Sequence, residues 1–293
     1  MSASAPTSTR PGANMVDGEF AFTEADFRRI SAMVHGDAGI HLPDAKATLV
    51  YSRLAKRLRA LGLTSFKDYC ALVSAAEGVD ERQKMLAALT TNVTRFFREP
   101  HHFEHLKEKV LPPLLDAARR GAKVRIWSAA CSSGQEPFSI AMTILSLMPD
   151  AGERDIKILA TDIDPNIVAA ARAGVYSREL LEAVPSSDRK HLRRAPDAGA
   201  DMWRFADEVR ELISFNELNL IRPWPMKGRF DVIFCRNVVI YFDDATQEQV
   251  WKKFIDVMNP GARLYIGHSE RVTGDGGRLI SDGLTAYRLG DAR

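Results

Sequence analysis

Lys123-Val124-Arg125-Ile126-Trp127-Ser128-Ala129-Ala130-Cys131-Ser132-Ser133-Gly134-Gln135-Glu136-Pro137 is the stretch that decides the fold. A β-branched and aromatic run, Lys123–Ala129, reads as a strand. It stops in small residues that let backbone approach a ligand closely. A helical pattern then runs over Glu136–Leu147. The same texture recurs downstream. Strands are expected over Ile156–Thr161, Phe230–Cys235 and Ala262–Gly267, and helices over Asn166–Ala173 and Ala245–Met258. This alternation predicts an α/β domain with a mostly parallel sheet covered on both faces. Leu279 to Leu289 reads as a final short strand or hairpin around the turn signal Asp282-Gly283. Between Ser186 and Ser214 the alternation is interrupted. Trp203–Phe205 and Val209–Phe215 read there as short antiparallel strands flanking a loop through Pro196 and Gly199.

Upstream, Phe20 to about Leu89 is helical in pattern. Thr23 is a plausible N-cap with Asp26 completing a short capping box. A second helix spans Lys46 to Leu61 and ends at Gly62, a third starts at Thr64 or Ser65, and a fourth starts near Asp80 and ends near Thr91. The expected organisation is a disordered tail (1–19), a helical domain (20–90), a linker with a lead-in helix (91–122) and the α/β domain (123–293). The β insertion is expected near 186–214.

The chain has 293 residues and a formal net charge of +2, which argues against a general nucleic-acid coat. Its three cysteines, Cys70, Cys131 and Cys235, form no CxxC pair, so a reducing cytoplasm fits. No apolar run is long enough to span a bilayer, and the N-terminus lacks the apolar core of a secretory signal. Direct membrane insertion is not expected.

In open α/β sheets ligands bind beyond the carboxyl ends of the strands. After the first strand the pattern is not GxGxxG, which removes the main support for a dinucleotide. Glu136, at a helix start, either complements the helix dipole or pairs with a ligand ammonium group. The second strand ends in Thr161-Asp162-Ile163-Asp164-Pro165. Asp162 suits a pair of ribose hydroxyls, and Asp164 before Pro165 suits a helix N-cap. Phe230–Cys235 runs out into Arg236-Asn237-Val238-Val239-Ile240-Tyr241-Phe242, without the Pro-Pro that base-methylating enzymes carry after Asn. Tyr241 is either core packing or a site residue. Asn219-Leu220 sits at another strand end, where a turn asparagine is the bland alternative. No metal is expected, because the adjacent His101 and His102 cannot share one helix face and His268-Ser269-Glu270 lacks a second ligand pair. A GxSxG elbow is absent.

The polar connector Thr91-Asn92-Val93-Thr94-Arg95-Phe96-Phe97-Arg98-Glu99 lies one helix upstream of the first strand. Further marks are Gly39-Ile40, Arg53-Leu54, Arg57-Leu58-Arg59, Trp127-Ser128-Ala129-Ala130 and Gly134-Gln135-Glu136-Pro137. Asp162-Ile163-Asp164, Phe234-Cys235-Arg236-Asn237, Ile240-Tyr241-Phe242 and Gly267-His268-Ser269-Glu270 follow in order. Together they resemble the chemotaxis receptor glutamate O-methyltransferases over nearly the whole chain, from about Phe22 to Leu289. The resemblance implies a Rossmann-like S-adenosylmethionine-dependent methyltransferase domain behind a small all-helical domain, with a small antiparallel β insertion. It implies S-adenosylmethionine as donor, with S-adenosylhomocysteine as product. The acceptors would be glutamate side chains in the cytoplasmic helical domain of chemotaxis receptors, giving γ-methyl esters, and no nucleic acid. By position, Asn92, Thr94, Arg98, Glu136, Asp162, Asn219, Leu220, Arg236 and Asn237 would line the cofactor site. Arg98 and Tyr241 would face the transferred methyl group. Some relatives carry a glycine-rich loop that adds a receptor tail peptide as an extra strand. Here Ala195–Asp201 holds one glycine, which counts against such a tether.

The second helix carries Lys46, Arg53, Lys56, Arg57 and Arg59 and no acidic residue. This run is either a solvated face or a docking surface for an acidic receptor helix, formed by Arg53, Lys56, Arg57 and Arg59. A non-catalytic S-adenosylmethionine sensor, or a methyltransferase acting on RNA or a small molecule, would use the same fold. The retained Arg98 and Tyr241 speak against the sensor.

Overall fold

Thr23 Oγ1 accepts the Asp26 N–H at 3.2 Å while Asp26 Oδ2 accepts the Thr23 N–H at 3.0 Å. This reciprocal cap starts α1 (Glu24–Ala38). Three more helices follow in the first unit: α2 (Ala47–Leu61), α3 (Phe66–Ser74) and α4 (Val79–Leu89). The structure, a computed structural model, describes residues 14–90 and 92–290, which fall into two compact units separating at Thr91/Asn92. Thr91 and residues 1–13 of the expected tail lie outside the described residues. Asn14 bridges to Thr23, and the Met15 N–H donates to the Phe22 carbonyl at 2.8 Å, so the chain is paired before Gly18.

Gly39 and Gly62 end α1 and α2 in the left-handed region, at φ 73° and 67°. Both conformations favour glycine. Val50, Leu54 and Leu58 line the inner face of α2 at a helical spacing and are fully buried. Each such side chain contributes about 1.5–3 kcal/mol relative to exposure. Phe22, Phe27, Phe66 and Tyr69 fill the same core.

Two cations of the run on α2, Arg53 and Arg57, turn inward. Arg57 donates to both oxygens of the buried Glu81, from Nε at 2.9 Å and Nη2 at 2.7 Å, and the Tyr69 hydroxyl donates to Glu81 at 3.1 Å. Arg53 Nη1 donates to the carbonyls of Ala88, Leu89 and Thr90 at 3.2, 2.9 and 2.7 Å, satisfying the end of α4. Arg59 bonds Glu19 at 2.8 Å on the surface, and Lys56 is exposed. The expectation of one docking face therefore divides. Arg53 and Arg57 hold α2 to α4, because α4 supplies the acceptors that α2 lacks.

The second unit opens with α5 (Pro100–His105), a π-helical turn over Leu106–Val110 and α6 (Leu111–Arg119). Then come β1 (Val124–Ala129), α7 (Gln135–Leu147), β2 (Ile156–Asp162) and α8 (Pro165–Ala173). A small antiparallel sheet follows, built from β3 (Val175–Ser177), β4 (Leu192–Arg194) and β5 (Met202–Phe205) in the order β3-β5-β4. The short helix α9 (Asp207–Arg210) leads to β6 (Ile213–Glu217). The chain continues through β7 (Phe230–Cys235), α10 (Asp244–Asp256), β8 (Met258–Ile266) and the hairpin of β9 (Leu279–Ser281) with β10 (Ala286–Leu289). The large sheet has the order β6-β2-β1-β7-β8-β10-β9, parallel except at β10, which runs antiparallel to both neighbours.

Two expectations change. The small sheet begins at Val175, earlier than the expected 186, and Val209–Phe215 is not part of it. Ile213–Glu217 pairs parallel with Ile158–Asp162 at the edge of the large sheet. An edge strand with one exposed face shows the same period-two alternation whichever way it runs, so the pattern did not reveal its direction.

Candidate active site

β2 and β7 flank β1, with Ala129 level with Thr161 on one side and Cys235 on the other. The chain order switches direction across this pair, and the three strands release their loops at one edge. The backbone there is unusual. Ala130, Ser132 and Asn237 have φ of 68°, 49° and 58°, and in the connector Phe97 and Glu99 have 50° and 58°. Non-glycine residues at positive φ are uncommon and concentrate at functional sites.

Asp162, at the end of β2, is buried. Its Oδ2 accepts the Ser132 N–H at 2.8 Å and its Oδ1 accepts the Asp164 N–H at 3.1 Å. Burial pushes its carboxyl upward, against the pull of these backbone bonds. Asp164 caps α8 by accepting the Asn166 N–H at 2.9 Å, as its place before Pro165 predicts. The Leu218 N–H donates to the Asp162 carbonyl at 2.9 Å, which brings the Asn219-Leu220 turn beside β2. Asn219 Oδ1 accepts the Ile221 N–H at 3.0 Å, and Leu220 is buried. Ser132 Oγ donates to the Asn92 carbonyl at 3.2 Å, tying the connector to the loop after β1. Asn92 and Thr94 are half-buried.

A charge chain runs through the same edge. Arg236, just past β7, donates from Nη1 to Glu136 at 3.0 Å and from Nη2 to the Arg98 carbonyl, and lies 3.5 Å from Glu99. Ser128 Oγ donates to the other Glu136 oxygen at 2.7 Å. Burial raises the Glu136 carboxyl, opposed by Arg236 and Ser128. Burial also acts on Glu99, but Arg236 and His268 hold it below the usual range, with His268 Nδ1 at 3.1 Å. Glu136 therefore has an internal cation, and a ligand ammonium would share it. The side chain of Arg98 reaches back to the Val93 carbonyl at 2.8 Å and stays half-exposed. Glu99, His101 and His102 place candidate ligand atoms within 4.8 Å of one another, and Arg236 already supplies a cation there.

Residues 92–287 match the CheR methyltransferase SAM binding domain, and residues 25–90 match the CheR methyltransferase all-alpha domain. The chain belongs to the CheR methyltransferase family. It is 55% identical over 258 residues to a probable chemotaxis protein methyltransferase of Rhizobium etli, covering 87% of this chain and 96% of that one. It is 40% identical over 271 residues to the chemotaxis protein methyltransferase of Escherichia coli K12, covering 92% of each. It is also 40% identical over 288 residues to chemotaxis protein methyltransferase 2 of Pseudomonas aeruginosa, covering 96% of this chain and 99% of that one.

The residues at this edge fit S-adenosylmethionine, the cofactor of this family. Each Asp162 oxygen takes one backbone N–H, and a carboxylate has about four acceptor sites, which leaves capacity for two hydroxyls. Gly134, at φ 96°, has no room for a Cβ, which would sit 2.7 Å from the Tyr176 hydroxyl. Most of the expected cofactor residues thus gather in two groups. Asn92, Asp162 and Asn219-Leu220 lie about the loops after β1 and β2, while Arg98, Glu136, Arg236 and Asn237 lie about the exit of β7. Thr94 lies in the connector, two residues after Asn92. Tyr241 ends a 3₁₀ turn, Val239–Tyr241, four residues after Asn237 and is half-buried. Arg53, Lys56, Arg57 and Arg59 belong to the other unit.

Ser128, Ser132, Glu99 and Glu270 also belong to this edge, although the sequence pattern assigns none of them a role in the site. Glu270 is buried and accepts four backbone N–H groups, from Asn237 and Val238 at 2.9 Å each, Ile240 at 3.3 Å and Gly267 at 2.5 Å. Its one sequence signal was a carboxylate placed directly after an apolar strand and Gly-His-Ser.

Proposed function

We propose that this chain methylates glutamate side chains in the cytoplasmic helical region of chemotaxis receptors, and that it does so in the cytoplasm. Among the described residues no helix is long and apolar enough to cross a membrane. The observation that carries the reading is the meeting, at one sheet edge of a CheR-family domain, of the buried Asp162 with the connector bearing Arg98. In this reading Asp162 receives the ribose, and Asn92, Thr94, Asn219, Leu220 and Asn237 line the remaining wall. Glu136 and Arg236 neutralise one another and fix the connector through the Arg98 carbonyl.

When bound, S-adenosylmethionine supplies a methyl group on a sulfonium, which is already an activated leaving group. A glutamate with a pKa of about 4.3 is already an anion at neutral pH, so the chain needs no general base. Its task is alignment, which contributes up to about 7–11 kcal/mol in well-oriented reactions. Arg98 holds one guanidinium nitrogen on the Val93 carbonyl and offers its other donors to the acceptor carboxylate, offsetting the loss of water around that anion. Tyr241 faces the methyl group from the β7 side. Lys56 and Arg59 form the remaining cationic surface for an acidic receptor helix.

The test is incubation of the full chain with methyl-labelled donor and a purified receptor cytoplasmic fragment, followed by mild base. Label released as methanol supports the ester. Base-stable label, or donor binding without transfer, overturns the reading. In Arg98→Ala the transfer rate should fall by about 10²-fold or more with an unchanged melting temperature.

A further inference from the structure

Glu270 poses a problem that packing alone does not answer. Its relative exposure is 4%, and no arginine, lysine or histidine pairs with it among the described residues. An unpaired buried carboxylate is costly unless hydrogen bonds replace its water. Here four main-chain N–H groups do so, one from Gly267 on its own loop and three from the loop that leaves β7. Those three belong to Asn237, Val238 and Ile240, and the next residue is Tyr241.

The donors are arranged to hold an improbable conformation. Asn237 sits at φ 58°, a region asparagine visits only as single residues. Glu270 Oε2 grips its N–H, and Oε1 grips the two that follow. Gly267 presses from the same side, since a Cβ there would lie 2.4 Å from Asn237 Nδ2 and 2.8 Å from its backbone nitrogen. The 3₁₀ turn that ends in Tyr241 starts from this point, with the Tyr241 N–H donating to the Val238 carbonyl at 3.1 Å.

We propose that Glu270 is a positioning residue for methyl transfer, which sets Asn237 and Tyr241 by binding the backbone between them. This rests on the assignment of Asn237 and Tyr241 to the active site. An apolar residue could fill the space, but it could not accept these N–H groups. A glutamine would turn an NH2 donor toward two of the four.

The test uses full-length Glu270→Gln, Gly267→Ala, Tyr241→Phe and the double variant Glu270→Gln/Tyr241→Phe. The readouts are kcat, KM for S-adenosylmethionine, S-adenosylhomocysteine affinity and melting temperature. Glu270→Gln should lower kcat about 10- to 100-fold and raise the donor KM. In the Tyr241→Phe background the same substitution should lower kcat by a smaller factor than in the wild type, because only its effect through Asn237 remains. Gly267→Ala moves Asn237 while leaving Glu270 intact and should reproduce the kcat loss. It decides the matter if Glu270→Gln does not fold. An unchanged kcat, or losses that multiply in full in the double variant, overturns the role of Glu270 alone. A silent Tyr241→Phe overturns the underlying site assignment as well.

Discussion

Both units bury a glutamate against an arginine, and the two pairs are built differently. In the helical unit Glu81 accepts two bonds from Arg57 and one from Tyr69, and Arg57 keeps 27% of its side chain exposed. The pair joins two regular helices, and positive φ occurs there only at Gly39 and Gly62 among the described residues. In the α/β unit Arg236 is 3% exposed and serves Glu136, Glu99 and the Arg98 carbonyl together. Around it the backbone carries positive φ at Phe97, Glu99, Ala130, Ser132 and Asn237. The first arrangement stabilises helices that would form anyway. The second holds conformations the chain would otherwise leave, which is the mark of a site prepared for a ligand.

The contrast breaks most directly at its centre. Arg236→Met leaves the buried Glu136 without its cation and Glu99 with His268 but without the arginine, and should cost about 3–5 kcal/mol in urea unfolding. A loss no larger than that of Glu81→Gln would erase the distinction. Glu81→Gln should cost about 2 kcal/mol, since Arg57 can turn to water, and should leave the affinity of the α/β unit for S-adenosylhomocysteine unchanged.

A third measurement uses pH. Burial, with Arg236 nearby, lowers the His102 imidazole from 6.5 to about 3. The folded state therefore holds His102 neutral where the unfolded state binds a proton. His102 imposes no penalty above pH 6.5, and stability is lost progressively as pH falls from there toward about 3. Comparing wild type with His102→Gln should show a difference in slope approaching about 1.4 kcal/mol per pH unit. Parallel curves would contradict it. The smallest effect is expected on the outer face of α2. Lys56→Glu with Arg59→Glu should change stability by no more than about 0.5 kcal/mol while raising the receptor KM, more at low salt than at high. An unchanged salt dependence would remove these residues from docking.

Much of the fold was legible in local pattern. Phe230–Cys235 agrees to the residue, and the first two strands differ by one residue each. The Thr23, Ser65 and Asp164 caps and the Gly62 stop are where side-chain chemistry puts them. Those signals act within four residues, so the sequence carries them openly. The direction of Ile213–Glu217 and the early start of the small sheet were not legible, because alternation reports a buried face and not a pairing partner.

By itself the amino-acid order determined the central strands and the capped helices, but not β3, β4 or the helical start of Val209–Phe215. It also determined that Asp162, Arg236 and Asn237 follow strand ends. Tertiary structure alone decided their partners. Arg236 meets Glu136 across 100 residues, and Glu270 meets Asn237 across 33. Arg57 faces Glu81 rather than solvent. The reason is physical: a helix cap is satisfied by neighbours along the chain, whereas a buried charge is satisfied by whatever the folded sheet brings within hydrogen-bond reach.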